Sequence, residues 1–118
     1  MYGLPNDFNF DFFIGLTLEM VCVNANQIYL HFDRDVSLTI EDAYSLQDER
    51  FDILSQLRAP EVRLDLFALI ERSLVSATGE KSGTLILGFD NGAIFRCYDL
   101  SDQYESYRIT NGNQVTIV

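Results

Sequence analysis

The chain has 118 residues with 18 Asp plus Glu against 8 Lys plus Arg, a formal net charge of −10, and 47% hydrophobic and 13% aromatic residues. That is one domain's length, residues 1–118, with enough apolar material for a packed core, so intrinsic disorder is excluded as an expectation. The negative balance repels phosphate backbones and disfavours a nucleic-acid binder.

In chain order, the N-terminus carries no basic residue ahead of an apolar run, so no secretory leader is expected. The longest apolar stretch, Phe12 to Val23, is 12 residues and is interrupted by Glu19, whereas a membrane-spanning helix needs about 20. No membrane association is expected. From Leu16 the dominant period is two: Leu16 to Val23, a turn at Asn24-Ala25-Asn26, Gln27 to Phe32, a turn at Asp33-Arg34-Asp35, then Val36 to Glu41. This predicts a three-stranded antiparallel meander. With a two-residue loop after Asn24, Cys22 falls opposite Tyr29 and Met20 opposite His31.

Next comes the segment expected to be helical. Asp48 caps a stretch in which Phe51, Ile53, Leu54 and Leu57 fall on one side, and Pro60 ends it or begins the next piece. Asp65 to Glu71 predicts a further helical turn. Period two then returns in Ser73 to Thr78, Thr84 to Phe89 and Ala93 to Tyr98. Asn91-Gly92 is the strongest hairpin signal, since two-residue turns need positive φ at both central positions and these types tolerate it. The last elements are Tyr104 to Ile109 and Gln114 to Val118, a hairpin and expected sheet edge.

The two meanders align. Ile14, Thr17, Leu18 and Val21 match Ile70, Ser73, Leu74 and Ala77 at an offset of 56, and Leu30, Phe32, Asp33 and Asp42 match Leu87, Phe89, Asp90 and Asp99 at 57. An internal duplication over about 12–42 and 68–99 is therefore expected. Its two copies would bury one face each against the other, a mainly β (α+β) domain packed as a sandwich or partly open barrel with one or two short helices between.

Charge is uneven: residues 1–49 hold nine acids and one base, residues 50–118 nine acids and seven bases. An acidic half suits a basic protein partner, whose encounter and orientation complementary potential would favour. Within it Asp33 and Asp35 are candidate partner-binding residues, although Asp33 also reads as a hydrogen-bonding turn residue. The cluster Asp99, Asp102, Tyr104, Glu105 and Tyr107 is the second candidate, because tyrosine provides large contact area at low entropic cost and acids beside it suit a basic surface.

No catalytic site, metal site or cofactor is expected. Cys22 and Cys97 are too few for a disulfide framework or zinc site and read as free thiols in a reducing cytoplasm. Asp33-x-Asp35 lacks the glycine and distant glutamate of a calcium loop. No phosphate-cradling glycine pattern occurs. His31 is the single histidine, and a Cys22/His31 dyad would lack an orienting third group and an oxyanion hole.

Leu69 to Val75, the hairpin Gly83-Thr84-Leu85-Ile86-Leu87-Gly88-Phe89-Asp90-Asn91-Gly92 and Tyr104-Glu105-Ser106-Tyr107 resemble a family of small uncharacterised bacterial proteins, a domain of unknown function with a G-x-L-x-L-x-F-D-x-G hairpin and a C-terminal YES[YW] motif. The resemblance brings no activity or site residues with it. Small acidic bacterial proteins of this kind are similar in character to immunity proteins of toxin systems. The expected function is a non-enzymatic, cytoplasmic protein-binding module, most concretely an immunity-like inhibitor whose acids meet a basic partner, with a DNA-mimic inhibitor as a variant. The alternatives are a small-ligand or carbohydrate-binding β domain or cryptic hydrolase, which needs a concave pocket, and a homodimer paired through edge strands such as Gln114 to Val118.

Overall fold

The computed structural model describes residues 3–47, 55–60, 64–101 and 105–118. Ten strands occur among them: β1 (Leu18–Val23), β2 (Ile28–Phe32), β3 (Val36–Ile40), β4 (Ala43–Gln47), β5 (Ser55–Arg58), β6 (Leu74–Gly79), β7 (Leu85–Phe89), β8 (Ile94–Cys97), β9 (Tyr107–Asn111) and β10 (Gln114–Ile117). They form two five-stranded antiparallel sheets, ordered β1-β2-β3-β9-β10 and β5-β4-β8-β7-β6. The expected mainly β architecture is present, as two sheets around one core and not as a closed barrel.

Alternation explains which face each strand buries. In β2, Ile28, Leu30 and Phe32 are buried while Tyr29 and His31 are half-exposed, as a period of two requires. Cross-strand register carries the apolar rows across each sheet. Leu30 pairs with Leu38 and Leu38 with Ile109, while Leu87 pairs with Phe95 and Phe95 with Leu46. Tyr44 and Tyr107 are the largest fully buried side chains. The first hairpin has the expected register, Cys22 opposite Tyr29 and Met20 opposite His31.

Each sheet has five strands where three were expected, because each receives a hairpin from elsewhere in the chain. β9 and β10 add to β3, and β4 and β5 add to β8. Two residues, Glu41 and Asp42, carry the chain between the sheets after β3, whereas residues 98–106 do so after β8.

The segment 55–58, expected on a helix ending at Pro60, is instead strand β5, with Leu57 opposite Tyr44. Pairing with the open side of β4, and packing of Leu57 against the core, override the local 3.6-residue pattern. The rest of that expected helix, residues 48–54, lies outside the described residues. Helix among the described residues amounts to a 3-10 turn at Asp11–Phe13 and α1, a single turn at Leu64–Phe67 in place of the expected 65–71. No helix among the described residues is long and apolar enough to cross a membrane.

The turns differ from expectation in one respect. Positive φ at both central residues falls on Arg34 (56°) and Asp35 (62°), not on Asn91-Gly92, where only Gly92 (87°) adopts it. Asn91 instead uses its side chain, Oδ1 accepting the Ala93 N–H at 3.1 Å, while Gly92 N–H donates to Phe89 O at 3.0 Å. Gly in the left-handed region after a right-handed residue makes a three-residue loop, which hairpins also favour.

The two sheets meet along β1 and β6. Thr17 and Ser73 form an isolated antiparallel bridge, their hydroxyls 3.0 Å apart. Around it, Leu18 N–H donates to Arg72 O (3.0 Å) and Leu74 N–H to Leu16 O (2.8 Å). Glu71 N–H donates to Leu18 O (2.7 Å) and Gly15 N–H to Leu74 O (2.8 Å). Both strands bulge just beyond, at Leu18/Met20 and Leu74/Ser76.

Candidate functional site

A groove of about 590 Å³ lies at the end of the sandwich where β3 hands over to β4. It is lined by Asn26, Gln27, Glu41, Asp42, Arg58, Leu100, Ser101 and Glu105. Among the described residues three carboxylates thus converge on it against one cation. The crossover fixes the first two: Glu41 N–H and Asp42 N–H both donate to Ser106 O, at 3.0 and 3.2 Å. A backbone clamped on both sides holds its side chains at the groove, so their charge is pre-placed.

Each acid is held differently. Gln27 Nε2 donates to Glu41 Oε1 at 2.6 Å, and Tyr29 Oη donates to Gln27 Oε1. Asn24 Nδ2 also donates to that oxygen at 3.1 Å. This polar chain runs from the β1–β2 turn to the groove wall and orients Glu41. Asp42 Oδ1 pairs with Arg58 Nη1 at 3.1 Å, the arginine side chain 70% exposed and the aspartate 13%. With one partner so exposed the pair contributes about 0–1 kcal/mol. Glu105, half-buried on the opposite wall, has no hydrogen-bond or ion-pair partner among the described residues.

The residues singled out from the sequence are dispersed. Glu105 lies on the groove. Asp99 stands behind it as a tie: its Oδ2 accepts the Gly3 N–H at 3.0 Å and its Oδ1 the Ser106 hydroxyl at 2.8 Å. Burial works against its charge, but hydrogen bonds, these two among them, hold its carboxyl below the usual range. Gly83 packs directly against it, since a Cβ there would stand 2.8 Å from Asp99 Cβ. Tyr107 is fully buried and donates to Gly83 O at 2.5 Å. Its pKa is raised, first by burial and then by Cys97 and Asp99. Asp102 and Tyr104 lie outside the described residues. Asp33 and Asp35 occupy the β2–β3 turn, at the other end of these strands from the groove, where Asp33 Oδ1 accepts the Thr17 N–H at 3.0 Å.

None of Gln27, Glu41, Asp42 and Arg58 stands out as a site residue in the sequence, where Glu41 and Asp42 read only as two of the first half's acids and Arg58 as a counter-charge to that acidic half. The signal present was the consecutive pair Glu41-Asp42 between two strands with no glycine or proline to make a turn. The thiols stand apart from the groove. Cys22 and His31 share the outer face of the first sheet without a hydrogen bond between them, and His31 stacks on Tyr29 with centroids 6.0 Å apart. Cys97 is buried and its pKa is raised well above the usual thiol value, by burial first and then by Asp42 and Asp99. No group of three or more potential metal ligands occurs among the described residues.

Fold and groove together define a two-sheet, mainly β domain with an acidic cleft at one end. The chain belongs to DUF6188, a family of unknown function, whose model matches residues 13–118. No curated protein and no solved structure matches it.

Proposed function

We propose that this protein is a non-enzymatic protein-binding module that takes a basic segment of a partner into the groove between the β3–β4 crossover and the β8–β9 connection. The observation that carries the reading is the convergence of Glu41, Asp42 and Glu105 on one depression against a single cation among the described residues, Arg58. Arg58 on Asp42 is an internal instance of what the groove accepts, and its exposure leaves it free to exchange for a partner's guanidinium or ammonium. The net charge of −10 steers a basic partner toward it. The most concrete version is an immunity-like inhibitor that occludes a basic surface, acting in the cytoplasm, where its two free cysteines would stay reduced.

The groove lies where the two halves of an internal duplication meet in this reading, Asn26, Gln27, Glu41, Asp42 and Arg58 coming from the first and Leu100, Ser101 and Glu105 from the second. Support comes from hydrogen bonds recurring between residues 56 apart, among them Leu69 N–H to Leu66 O beside Phe13 N–H to Phe10 O. The matched bulges of β1 and β6 point the same way. In this scheme each half gives its three-stranded meander to one sheet and its last hairpin to the other. The longer connection of residues 98–106 has no counterpart after β3, and Leu100, Ser101 and Glu105 from it line the groove. One wall of the groove is thus a feature of the second half alone.

Affinity capture from the protein's own host tests the reading, comparing wild type with Glu41→Gln/Glu105→Gln at low and high salt. A basic protein retained by wild type, released by salt and lost with the variant is expected. Equal retention by the variant, or capture of no protein from a lysate known to express the candidate partner, contradicts it.

A further inference from the structure

We infer that the edge of β10 left without a partner strand among the described residues is a self-association surface that pairs antiparallel with β10 of a second copy, centred on Thr116. The inference is independent of the groove. In the β9–β10 hairpin Gln114 pairs with Asn111 and Thr116 with Ile109, and the next inward residue, Val118, donates to Tyr107 O at 2.9 Å. Alternation therefore turns the N–H and C=O of Val115 and Ile117 away from β9, into the open edge. The two residues make a self-complementary set. In an antiparallel pair about Thr116, Val115 of one copy exchanges both hydrogen bonds with Ile117 of the other, and two-fold symmetry repeats the exchange.

The side chains suit a second copy. Val115 is 54% and Ile117 39% exposed, and both lie on the outer face beside Thr110 and Arg108, their cross-strand partners. The pairing sets each apolar side chain against the other from the second copy. This patch carries no carboxylate, which in a chain of 18 acids makes it a place where two copies approach without direct acid-to-acid contact. The other sheet edges are guarded. β5 is followed by Pro60 and carries Arg58, while β1 and β6 are bulged and bridged to each other at Thr17 and Ser73. Gln114-Val115-Thr116-Ile117 has none of the charges, prolines or bulges that keep edges apart.

Sedimentation equilibrium on the full chain, with amide hydrogen exchange across a concentration series, tests this. A monomer–dimer equilibrium is expected, with the Val115 and Ile117 amides gaining protection as concentration rises. Added salt should strengthen it by screening the like net charges, opposite to its effect on a basic partner. Val115→Lys should abolish dimer while leaving the thermal midpoint of the monomer unchanged. Val115→Pro, which removes an outward N–H only, should do the same. A monomer at every concentration, or a dimer that survives Val115→Lys, overturns the inference.

Discussion

Thr17 and Ser73, 56 positions apart in the chain, meet hydroxyl to hydroxyl at 3.0 Å where β1 of one sheet approaches β6 of the other. The pair is half-buried and flanked on both sides by backbone hydrogen bonds that cross between the same two segments. It marks the seam along which the two sheets are joined. Thr17→Ala or Ser73→Ala is expected to lower unfolding free energy by about 1 kcal/mol each, and the double variant by less than the sum. A double-mutant cycle by chemical denaturation measures the coupling.

Gly15 (φ 87°) and Glu71 (φ 75°) are the left-handed residues of that seam, each donating its N–H across it. A side chain at Gly15 would meet nothing within 4 Å, so any cost of adding one is backbone strain. Gly15→Ala should destabilise by about 1–2 kcal/mol. Glu71→Gly should stabilise by about 0.5–1 kcal/mol, the relief of strain offset in part by the greater freedom of the unfolded chain. Thermal unfolding of the two variants side by side gives the opposite signs directly.

Tyr107→Phe removes the only donor from the buried hydrogen bond to Gly83 O and should cost about 1–3 kcal/mol without changing the fold. The pKa of Tyr107 is raised by burial. The wild type is therefore fully stabilised below the unfolded tyrosine value of about 10 and loses that stability as pH rises above it, because the unfolded chain ionises first. The slope of stability against pH in this alkaline range should be shallower in Tyr107→Phe.

Asp99 has the opposite sign. Against burial, its carboxyl is held low by hydrogen bonds, those from Ser106 and Gly3 among them, and by the charge of the chain's amino terminus, so it contributes stability above the unfolded aspartate value of about 3.9, and the contribution is lost as pH falls through the lower folded value. Asp99→Asn should be less stable than wild type at neutral pH and converge on it as pH falls through the lowered folded value. Chemical denaturation across this range measures the difference.

Strands with strict alternation, such as Ile28 to Phe32, were legible because one face meets the core and the other does not. The pairing of Cys22 with Tyr29 followed from loop length alone. Which strands share a sheet was not legible. Nothing local in Ala43 to Gln47 says that it joins β8 and not β3, since that choice rests on packing Tyr44 and Leu46 against Cys97 and Phe95. Leu57 was assigned to a helix for the same reason, its partner being distant in sequence. Glu105, a partner-binding candidate for its charge beside tyrosines, lies on the groove, whereas Glu41 and Asp42 became groove residues only once the crossover brought them near Leu100, Ser101 and Glu105.

Chemical-shift mapping with an arginine-rich peptide reads the docking of a basic segment in the acidic groove residue by residue. The account predicts saturable, salt-sensitive shifts concentrated at Gln27, Glu41, Ser101 and Glu105, with the Arg58 side chain released from Asp42, and their loss in Glu41→Gln/Glu105→Gln. Shifts spread over Asp33, Asp35 and other exposed acids while the groove residues stay unmoved would contradict it.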